Sequence, residues 1–406
     1  MTCRFCGHSV MYEFVDLKSS PPSNSYVSFE QLNEPEVVYP LKVFVCEECF
    51  LVQIDEHKKS SEIFDAHYAY FSSMSSSWVA HAQKYVEMIT KAQNLNGHSQ
   101  VIEIGSNDGY LLQFFKSKEI PCLGIEPTKS TGDVARGKGI EVIEDFFGER
   151  LAQTLPKADV ILGNNVLAHV PDINDFVKGL KIALKPDGII TMEFPHLLNL
   201  IDHNQFDTIY HEHYSYLSLI NTMKIFEAHG LQIYDAEELL THGGSLRIYA
   251  AHRENPLSFG NCLRIVIDKE MRAHLDTLEG YNGFQIRADK VKDEFLAFLL
   301  DAKARNKKVA GYGAAAKGNT FLNYCAVKND LIEFVVDKAP LKMGKYLPGS
   351  HIPIVSEEKI KETKPDFVVI FPWNIQEEVM QQLSYIKDWN GQFVVAIPSL
   401  KVMNAE

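Results

Sequence analysis

The sequence concentrates reactive side chains in residues 209–217, Ile-Tyr-His-Glu-His-Tyr-Ser-Tyr-Leu. Tyrosine, glutamate and histidine can take up, hold or donate protons, which is the work of a general acid–base catalyst. A metal site is a weaker interpretation, because the run does not have the His-Glu-x-x-His spacing of helical zinc hydrolases. In an extended segment the two histidines face away from Tyr210 and Glu212. A turn would instead bring Tyr210, Glu212 and His213 to one pocket, and a packing strand is the alternative without chemistry.

A glycine turn forms the second chemical group. Residues 101–112, Val-Ile-Glu-Ile-Gly-Ser-Asn-Asp-Gly-Tyr-Leu-Leu, predict an apolar strand, a Gly-x-x-x-Gly turn and the start of a helix. Glycine lets the backbone approach a ligand closely, and Glu126 at the end of the next strand can accept hydrogen bonds from two ribose hydroxyls. The polar residues between the glycines suit a cationic sulfonium better than a pyrophosphate. We therefore predict S-adenosylmethionine (SAM) as the ligand, with a turn used only for packing as the alternative.

The residues of this turn and strand end that are predicted to bind SAM are Gly105, Ser106, Asn107, Asp108, Gly109 and Glu126. Further along, a strand at 158–162 and a strand at 189–193, entered through a turn at 185–188, resemble the fourth and fifth strands of class I methyltransferases. The resemblance implies that Asn164 faces the methionine moiety. It also implies that Asp145 and Phe146 lie where the adenine is contacted.

Four of the cysteines are paired in sequence. Cys3 and Cys6 form one Cys-x-x-Cys pair, and Cys46 and Cys49 form another. In a reducing compartment such pairs are typical of tetrahedral zinc thiolates rather than of disulfides. Four protein ligands close the coordination sphere, so we predict one structural Zn²⁺, with free or redox-active thiols as the alternative.

Composition restricts the class of protein. The chain has 406 residues, more than one core usually organises, so two or three domains are expected. Its formal net charge of −13 argues against a nucleic-acid partner, although a local positive cluster could still hold an anionic small substrate. No apolar run approaches the roughly 20 residues of a membrane span and the N-terminus does not resemble a signal peptide. We therefore expect a cytoplasmic protein without a membrane partner.

We predict an α/β protein with three domains. A zinc-binding module covers residues 1–75, a class I SAM methyltransferase domain of Rossmann-like fold covers 76–255, and a second Rossmann-like domain covers 256–406. Residues 19–25 are too polar and proline-rich for regular structure, and this loop could reach across a neighbouring site. Apolar residues at helical spacing predict a helix over 76–95.

The C-terminal part carries a glycine turn of its own. A long charged helical stretch at 257–307 precedes residues 308–320, Lys-Val-Ala-Gly-Tyr-Gly-Ala-Ala-Ala-Lys-Gly-Asn-Thr, which predict a strand, a turn and a helix. Backbone N–H groups at a helix start favour an anion, and Lys317 adds a positive charge. Asp337 ends the next predicted strand, 331–337. We predict a nucleotide or diphosphate site separate from the SAM site, with a purely structural domain as the alternative.

Together these motifs resemble the sugar-nucleotide C-methyltransferases, enzymes that build branched deoxysugars. The resemblance covers essentially the whole chain and rests on the cysteine pairs, the SAM turn, and the runs at 210–218, 242–247 and 311–319. It implies that the N-terminal module binds zinc and that the middle domain binds SAM. The C-terminal domain would help to hold the nucleotide of a dTDP- or GDP-linked 4-keto-6-deoxyhexose.

The same resemblance implies roles for individual residues. The implied catalytic residues are Tyr210, Glu212, His213, His169 and Tyr70. The implied substrate-binding residues are Tyr68, His242, Gly313, Lys317, Asn319 and Asp337. Tyr68 stays an alternative to Tyr70 for the catalytic position.

C-methylation requires a carbon nucleophile. A proton next to a ketone is acidic enough for a histidine base if the enolate oxygen is stabilised in a dry site. We predict that His213 is the base at C3 and that Glu212 orients it or binds a sugar hydroxyl. A tyrosine or His169 would donate to the enolate oxygen.

Other functions stay open at this point. An O- or N-methyltransferase on the same scaffold is the nearest alternative, and a zinc-containing nucleic-acid methyltransferase disagrees with the acidic composition. A non-enzymatic regulator that binds zinc and a nucleotide is the third alternative. The sugar, its carrier base, methylation at C5 instead of C3, the stereochemistry and the oligomeric state are not determined by the sequence.

Overall fold

The computed structural model describes residues 1–59, 62 and 71–405. Tyr68 and Tyr70, predicted for the active site, lie outside the described residues. The chain divides into two compact units, each built from several segments. The first unit consists of Met1–Met11, Cys46–His196 and Tyr214–Gly280, and the second of Tyr12–Val45, Leu197–His213 and Tyr281–Glu406. The three sequential domains stay a prediction.

The strands, in chain order, are β1 Tyr12–Ser20, β2 Tyr39–Val45, β3 Val52–Ile54, β4 Val101–Ile104, β5 Cys122–Ile125, β6 Glu141–Ile143, β7 Ala158–Asn164, β8 Leu184–Pro195, β9 Ser215–Tyr216, β10 Leu231–Leu239, β11 Ser245–His252, β12 Val309–Tyr312, β13 Val335–Val336, β14 Ile354–Val355, β15 Phe367–Ile370, β16 Gln392–Val395 and β17 Lys401–Asn404.

The α-helices are α1 Ser76–Ala92, α2 Leu112–Ser117, α3 Lys129–Gly137, α4 Glu149–Ala152, α5 Ile173–Ala183, α6 Leu197–Asp202, α7 Leu219–Ala228, α8 Asn261–Arg272, α9 Phe284–Ala304, α10 Ala316–Tyr324, α11 Glu358–Thr363 and α12 Gln376–Gln382. Short 3₁₀ turns join several of them.

A mixed sheet forms the centre of the first unit. Its strand order is β10-β11-β8-β7-β4-β5-β6, in which β4 to β8 run parallel and β11 runs antiparallel to both of its neighbours, β8 and β10. The strand order reverses between β4 and β7, and ligands of such sheets bind outside the carboxyl ends of the strands at this reversal. The predicted α/β class I methyltransferase fold is confirmed in this unit.

The helix predicted over 76–95 is observed as α1. The Ser75 side chain caps its first turn by accepting a hydrogen bond from the Trp78 N–H, and its apolar stripe packs into the core beside β4. The turn predicted at 185–188 is wrong, because these residues lie inside β8. Pairing with β7 shifts there from Ala158–Leu184 to Val160–Ile189, so that the four residues form a bulge within one continuous strand.

A second parallel sheet forms the centre of the second unit. Its order is β14-β13-β12-β15-β16-β17, in which β17 alone among the described strands of this sheet runs antiparallel. This is again a doubly wound arrangement with a reversal, here between β12 and β15. The long helical stretch predicted at 257–307 is two helices, α8 and α9. The second begins after Gly283, whose φ of +75° is left-handed and cannot belong to a helix.

Candidate functional site

The turn after β4 has the backbone that only glycine adopts without strain. Gly105 has φ of +67° and Gly109 has φ of +73°. A Cβ atom on Gly105 would lie 2.5 Å from Val166 Cγ2, so any larger residue would displace the neighbouring loop. The chain therefore keeps open backbone at the carboxyl end of the sheet, where a nucleoside can approach it.

Glu126 lies directly after β5 and closes this turn. Its carboxylate accepts hydrogen bonds from the backbone N–H groups of Asn107 and Thr128, both at 2.9 Å. Burial raises the pKa of Glu126, and the two backbone donors oppose that rise. A carboxylate has about four lone-pair sites, so that two remain for ribose hydroxyls. The residues fit SAM at this position.

Buried polar atoms beneath the turn support a polar ligand. Ser106 Oγ and Asp108 Oδ1 are buried and make no hydrogen bond to a described residue. Such atoms are rare in folded proteins and call for a ligand, a water molecule or an ion. Burial, the largest cause, raises the pKa of Glu103 well above its ordinary range, and the nearby Glu126 and Asp108 charges add to it.

Two asparagines end β7 next to a strained turn. Asn164 Nδ2 donates to the Tyr110 hydroxyl at 3.3 Å, and Asn165 Nδ2 lies 2.9 Å from His242 Nε2. His242 has a left-handed φ of +54° and its ring meets the Trp78 ring edge-on with centroids 4.7 Å apart. The structure therefore places His242, predicted for the substrate, beside Asn165 at the end of β7.

Three further predicted residues are Asp145 and Phe146, predicted around SAM, and His169, predicted as catalytic. Asp145 and Phe146 follow β6, where Asp145 pairs with Arg150 at 2.6 Å and the Phe146 ring is 41% exposed. His169 ends the 3₁₀ turn Leu167–His169, half-buried, and donates its backbone N–H to the Val166 carbonyl at 2.8 Å. Each is thus surface-accessible in part, as a ligand contact requires.

A buried ionic network holds the His242 turn. Glu193 Oε1 accepts a hydrogen bond from the Thr241 hydroxyl at 2.8 Å, and Glu193 Oε2 accepts one from Arg247 at 2.7 Å. His81 Nε2 lies 2.9 Å from the same oxygen. Burial alone would raise the pKa of Glu193, but the His81 hydrogen bond and the Arg247 charge lower it. The sequence gives no signal for this network, because its members come from four separate segments.

In the second unit, residues 210–213 form a turn. The His213 N–H donates to the Tyr210 carbonyl at 2.9 Å, and the two rings lie 4.0 Å apart between centroids. Of the two conformations considered from the sequence, the turn is the one observed. It places Tyr210 against His213, while Glu212 accepts a hydrogen bond from Asn24 Nδ2 at 2.7 Å.

The histidines of this run have different surroundings. His213 Nδ1 lies 3.0 Å from the Thr208 carbonyl oxygen, which can only accept, so the ring must donate from Nδ1. The neutral ring then keeps its lone pair on Nε2, the form of a general base. His211 Nε2 donates to the Pro40 carbonyl at 3.2 Å, and its ring meets Tyr39 edge-on. His211 thus packs against β2.

The turn after β12 repeats the arrangement of the first unit. Gly313 has φ of +90°, and a Cβ atom there would lie 2.6 Å from Pro372 Cδ. Asp337, after β13, accepts hydrogen bonds from the N–H groups of Ala314 at 2.7 Å and Ala339 at 2.8 Å. Lys342 Nζ lies 3.6 Å from the same carboxylate. This carboxylate links the second strand to the glycine turn as Glu126 does.

The remaining predicted residues of the second unit lie on α10. Lys317 Nζ donates to Asn374 Oδ1 at 2.8 Å and lies 4.4 Å from the centroid of the Trp373 ring. Burial lowers the pKa of Lys317. Asn319 Nδ2 donates to the Ser23 carbonyl at 2.6 Å, so that this side chain holds the 21–28 loop.

Asp207 is a residue that the sequence did not single out. Its side chain is 2% exposed, and Oδ2 accepts a hydrogen bond from the Trp373 indole at 2.7 Å. Burial raises the pKa of Asp207 to about 6, although the Lys317 charge opposes the rise. Nothing in the sequence around Asp207 distinguishes it from a surface aspartate, because burial depends on the distant β15 loop.

The four paired cysteines meet at one point of the first unit. The Sγ atoms of Cys3, Cys6, Cys46 and Cys49 all lie within 4.8 Å of one another. The Cys3–Cys49 and Cys6–Cys46 pairs are 3.6 and 3.5 Å apart. Tetrahedral Zn²⁺ with Zn–S bonds of about 2.3 Å needs sulfur atoms roughly 3.8 Å apart. A hydrogen bond with Cys49 lowers the pKa of Cys3 to about 4. The residues fit a structural zinc.

Comparison with known proteins agrees with these sites. Sequence models match a zinc-binding domain at residues 3–64, a methyltransferase domain at 79–236 and a C-methyltransferase C-terminal domain at 240–398. The C-methyltransferase NovU of Streptomyces niveus is 33% identical over 408 residues, which cover 100% of this chain and 97% of NovU. The chain belongs to the C-methyltransferase family.

Other relatives match only a part of this C-methyltransferase. The ubiquinone biosynthesis O-methyltransferase of Actinobacillus pleuropneumoniae serotype 7 (strain AP76) is 33% identical over 110 residues, 25% of this chain and 47% of that protein. Among solved structures, SAM-bound magnesium protoporphyrin IX methyltransferase of Synechocystis PCC 6803 has 17% identity and a TM-score of 0.34, with 44% and 83% of the two chains covered.

The C-methyltransferase is a SAM-dependent enzyme with a zinc-binding module, and these predictions are confirmed. Within the described part of the chain, no helix combines the length and the apolar character that crossing a bilayer requires.

Replacement of Glu126 by alanine is expected to weaken SAM binding by about 1.5 to 3 kcal/mol, the range for hydrogen bonds to a charged group. Titration calorimetry with SAM, and separately with dTDP or GDP, measures the effect. Asp337→Ala is the matched control, because Asp337 makes the same backbone contacts in the second unit. The assignment of Glu126 to the ribose is wrong if both variants weaken SAM equally, or if Glu126→Ala weakens the nucleoside diphosphate as much as SAM.

Proposed function

We propose that this enzyme methylates C3 of a nucleotide-linked 4-keto-6-deoxysugar, with His213 as the base that forms the enolate. The observation that carries the proposal is the tautomer of His213. Its Nδ1–H is held by the Thr208 carbonyl, which leaves Nε2 as the proton acceptor. The ring is 7% exposed, and a mostly dry base can abstract a weakly acidic proton without competition from water.

The neighbours of His213 have roles that follow from their positions. The Tyr210 ring packs against the imidazole and limits its rotation. Glu212 is 3% exposed and, as an acceptor, can bind a sugar hydroxyl or orient the substrate. Tyr210, His169 or Tyr70 would donate a hydrogen bond to the enolate oxygen.

When bound, SAM supplies the electrophilic methyl group that the enolate carbon accepts. The protein contributes the base, the donor to the enolate oxygen and the orientation of both reactants.

The nucleotide of the substrate is proposed to bind the second unit. The turn at Gly313 opens α10, where backbone N–H groups and the helix dipole attract an anion. Lys317, in the first turn of this helix, adds a positive charge near a diphosphate.

The reaction is proposed to take place in the cytoplasm, because zinc-thiolate sites persist where thiols stay reduced.

A turnover screen tests the proposed function. The purified enzyme is incubated with SAM and a set of dTDP- and GDP-linked 4-keto-6-deoxyhexoses, and the products are examined by NMR. A new methyl carbon attached to C3, with loss of the C3 hydrogen, is expected. A methyl group on C5 would correct the position, and a methyl group on oxygen or nitrogen would show that the enolate step is wrong.

A further inference from the structure

Asn24 is distant in sequence from the 210–213 turn and yet contacts it. Its side-chain amide donates to Glu212 Oε1 at 2.7 Å. The acceptor is a buried carboxylate with 3% exposure. A hydrogen bond from an amide to a buried carboxylate is stronger than one between neutral groups and fixes the carboxylate in one orientation.

The 21–28 loop that carries Asn24 is anchored on both sides of this residue. On one side, Asn319 Nδ2 donates to the Ser23 carbonyl at 2.6 Å. On the other side, the Tyr26 hydroxyl donates to the Ala314 carbonyl at 2.5 Å, and Val27 exchanges backbone hydrogen bonds with Tyr346 at 3.0 and 2.8 Å. The position of Asn24 is therefore set by α10 and by the glycine turn at Gly313.

One hydroxyl joins this loop to the catalytic turn. The Thr320 hydroxyl donates to the carbonyl of Ile209, the residue before Tyr210, at 2.9 Å. Because that hydroxyl has a single proton, the Ser23 hydroxyl must donate to Thr320 Oγ1, at 3.2 Å. The loop and the turn are thus fastened to the same residue of α10, and Asn24 and Glu212 lie on the two segments so joined.

We propose that Asn24 is a positioning residue that holds Glu212 in its working orientation. The inference rests on the proposed function only in giving Glu212 a role in catalysis. Asn24 acts through Glu212 and has no contact of its own to the reacting atoms in this scheme.

A cycle of variants tests the coupling: Asn24→Ala, Glu212→Gln and the double variant, with Ser25→Ala as the matched control on an exposed neighbour of the same loop. Turnover is measured with SAM and whichever dTDP- or GDP-linked 4-keto-6-deoxyhexose is methylated. Asn24→Ala should lower kcat roughly 10- to 100-fold, as for a hydrogen bond to a charged group, with little change in SAM affinity. The double variant should be no slower than Glu212→Gln alone.

The pH dependence of kcat in the Asn24→Asp variant distinguishes the positioning role from a merely structural one. Two adjacent carboxylates share one proton, and the protonated form can donate to Glu212 again. The ratio of its kcat to that of the wild type should therefore rise as the pH falls. Independent effects in the double variant, or a ratio that does not change with pH, would overturn the inference. If Glu212→Gln alone leaves kcat unchanged, the proposed role of Glu212 fails instead.

Hydrogen exchange provides a test without substrate. The His213 N–H is protected by the Tyr210 carbonyl within the turn. Exchange of the peptide that contains residues 209–213 should be faster in Asn24→Ala than in Ser25→Ala, and equal exchange in the two variants would contradict the positioning role.

Discussion

Replacement of His213 by alanine or asparagine is expected to lower the turnover rate roughly 10²- to 10⁴-fold, the usual contribution of a positioned general base. SAM affinity should change little, because the ring does not belong to the glycine turn that is proposed to hold the cofactor. The loss of turnover is expected because the Nδ1–H of His213 is held by the Thr208 carbonyl, so that Nε2 can accept a proton. Steady-state kinetics and SAM titration of the same variants separate the two effects.

His211 provides the matched control. Its Nε2 donates to the Pro40 carbonyl, so His211→Asn should affect packing more than turnover.

A second measurement follows the substrate of the His213 variants in heavy water with a non-reactive SAM analogue. The wild type should exchange the hydrogen next to the ketone, provided the proton escapes to solvent, and His213→Ala should not. Near-normal methylation by the His213 variants would move the base to His169 or a tyrosine.

Loss of one zinc ligand is expected to destabilise the module that contains the cysteine pairs. Apparent binding free energies of structural zinc are about 10 to 16 kcal/mol in zinc-finger peptides, and metal binding of this kind is coupled to folding. Cys46→Ser should therefore reduce the zinc content from one equivalent to nearly none and expose the N-terminal segment to proteolysis. Elemental analysis and limited proteolysis measure the two effects.

Cys262→Ser is the control for this prediction, because Cys262 is an exposed thiol on α8 outside the cluster. Its zinc content and protease resistance should equal those of the wild type. Absence of zinc from wild-type protein purified without chelators would contradict the zinc assignment, as would full zinc content in Cys46→Ser.

The features predicted correctly from the sequence are those with local physical causes. The glycines of the turn after β4 are required by the left-handed backbone at Gly105 and Gly109, and that requirement is visible in the residue types themselves. The helix at α1 follows from its apolar spacing and its Ser75 cap. The cysteine pairs indicate their metal through spacing alone.

The features missed by the sequence depend on distant partners. The turn at 210–213 could not be distinguished from a strand, because its geometry depends partly on Asn24 and Thr320 from other segments. The predicted strand at 331–337 is only β13, two residues long, because its ladder with β14 is limited to Val335 and Val336. The Glu193 network could not be predicted either, because it depends on the pairing of β8 with β11.

The division of each unit into separate chain segments has a consequence for biosynthesis. The hairpin of β1 and β2 belongs to a unit whose sheet begins only after residue 281. Ribosomes add roughly 5–20 residues per second, so the intervening chain takes on the order of 10 to 50 s to appear. During that interval the Phe14 ring of β1, which in the finished protein stacks on Phe284 and meets Tyr281 edge-on, lacks both partners. Chaperone-depleted translation should therefore lower the yield of folded enzyme more than its final stability would suggest.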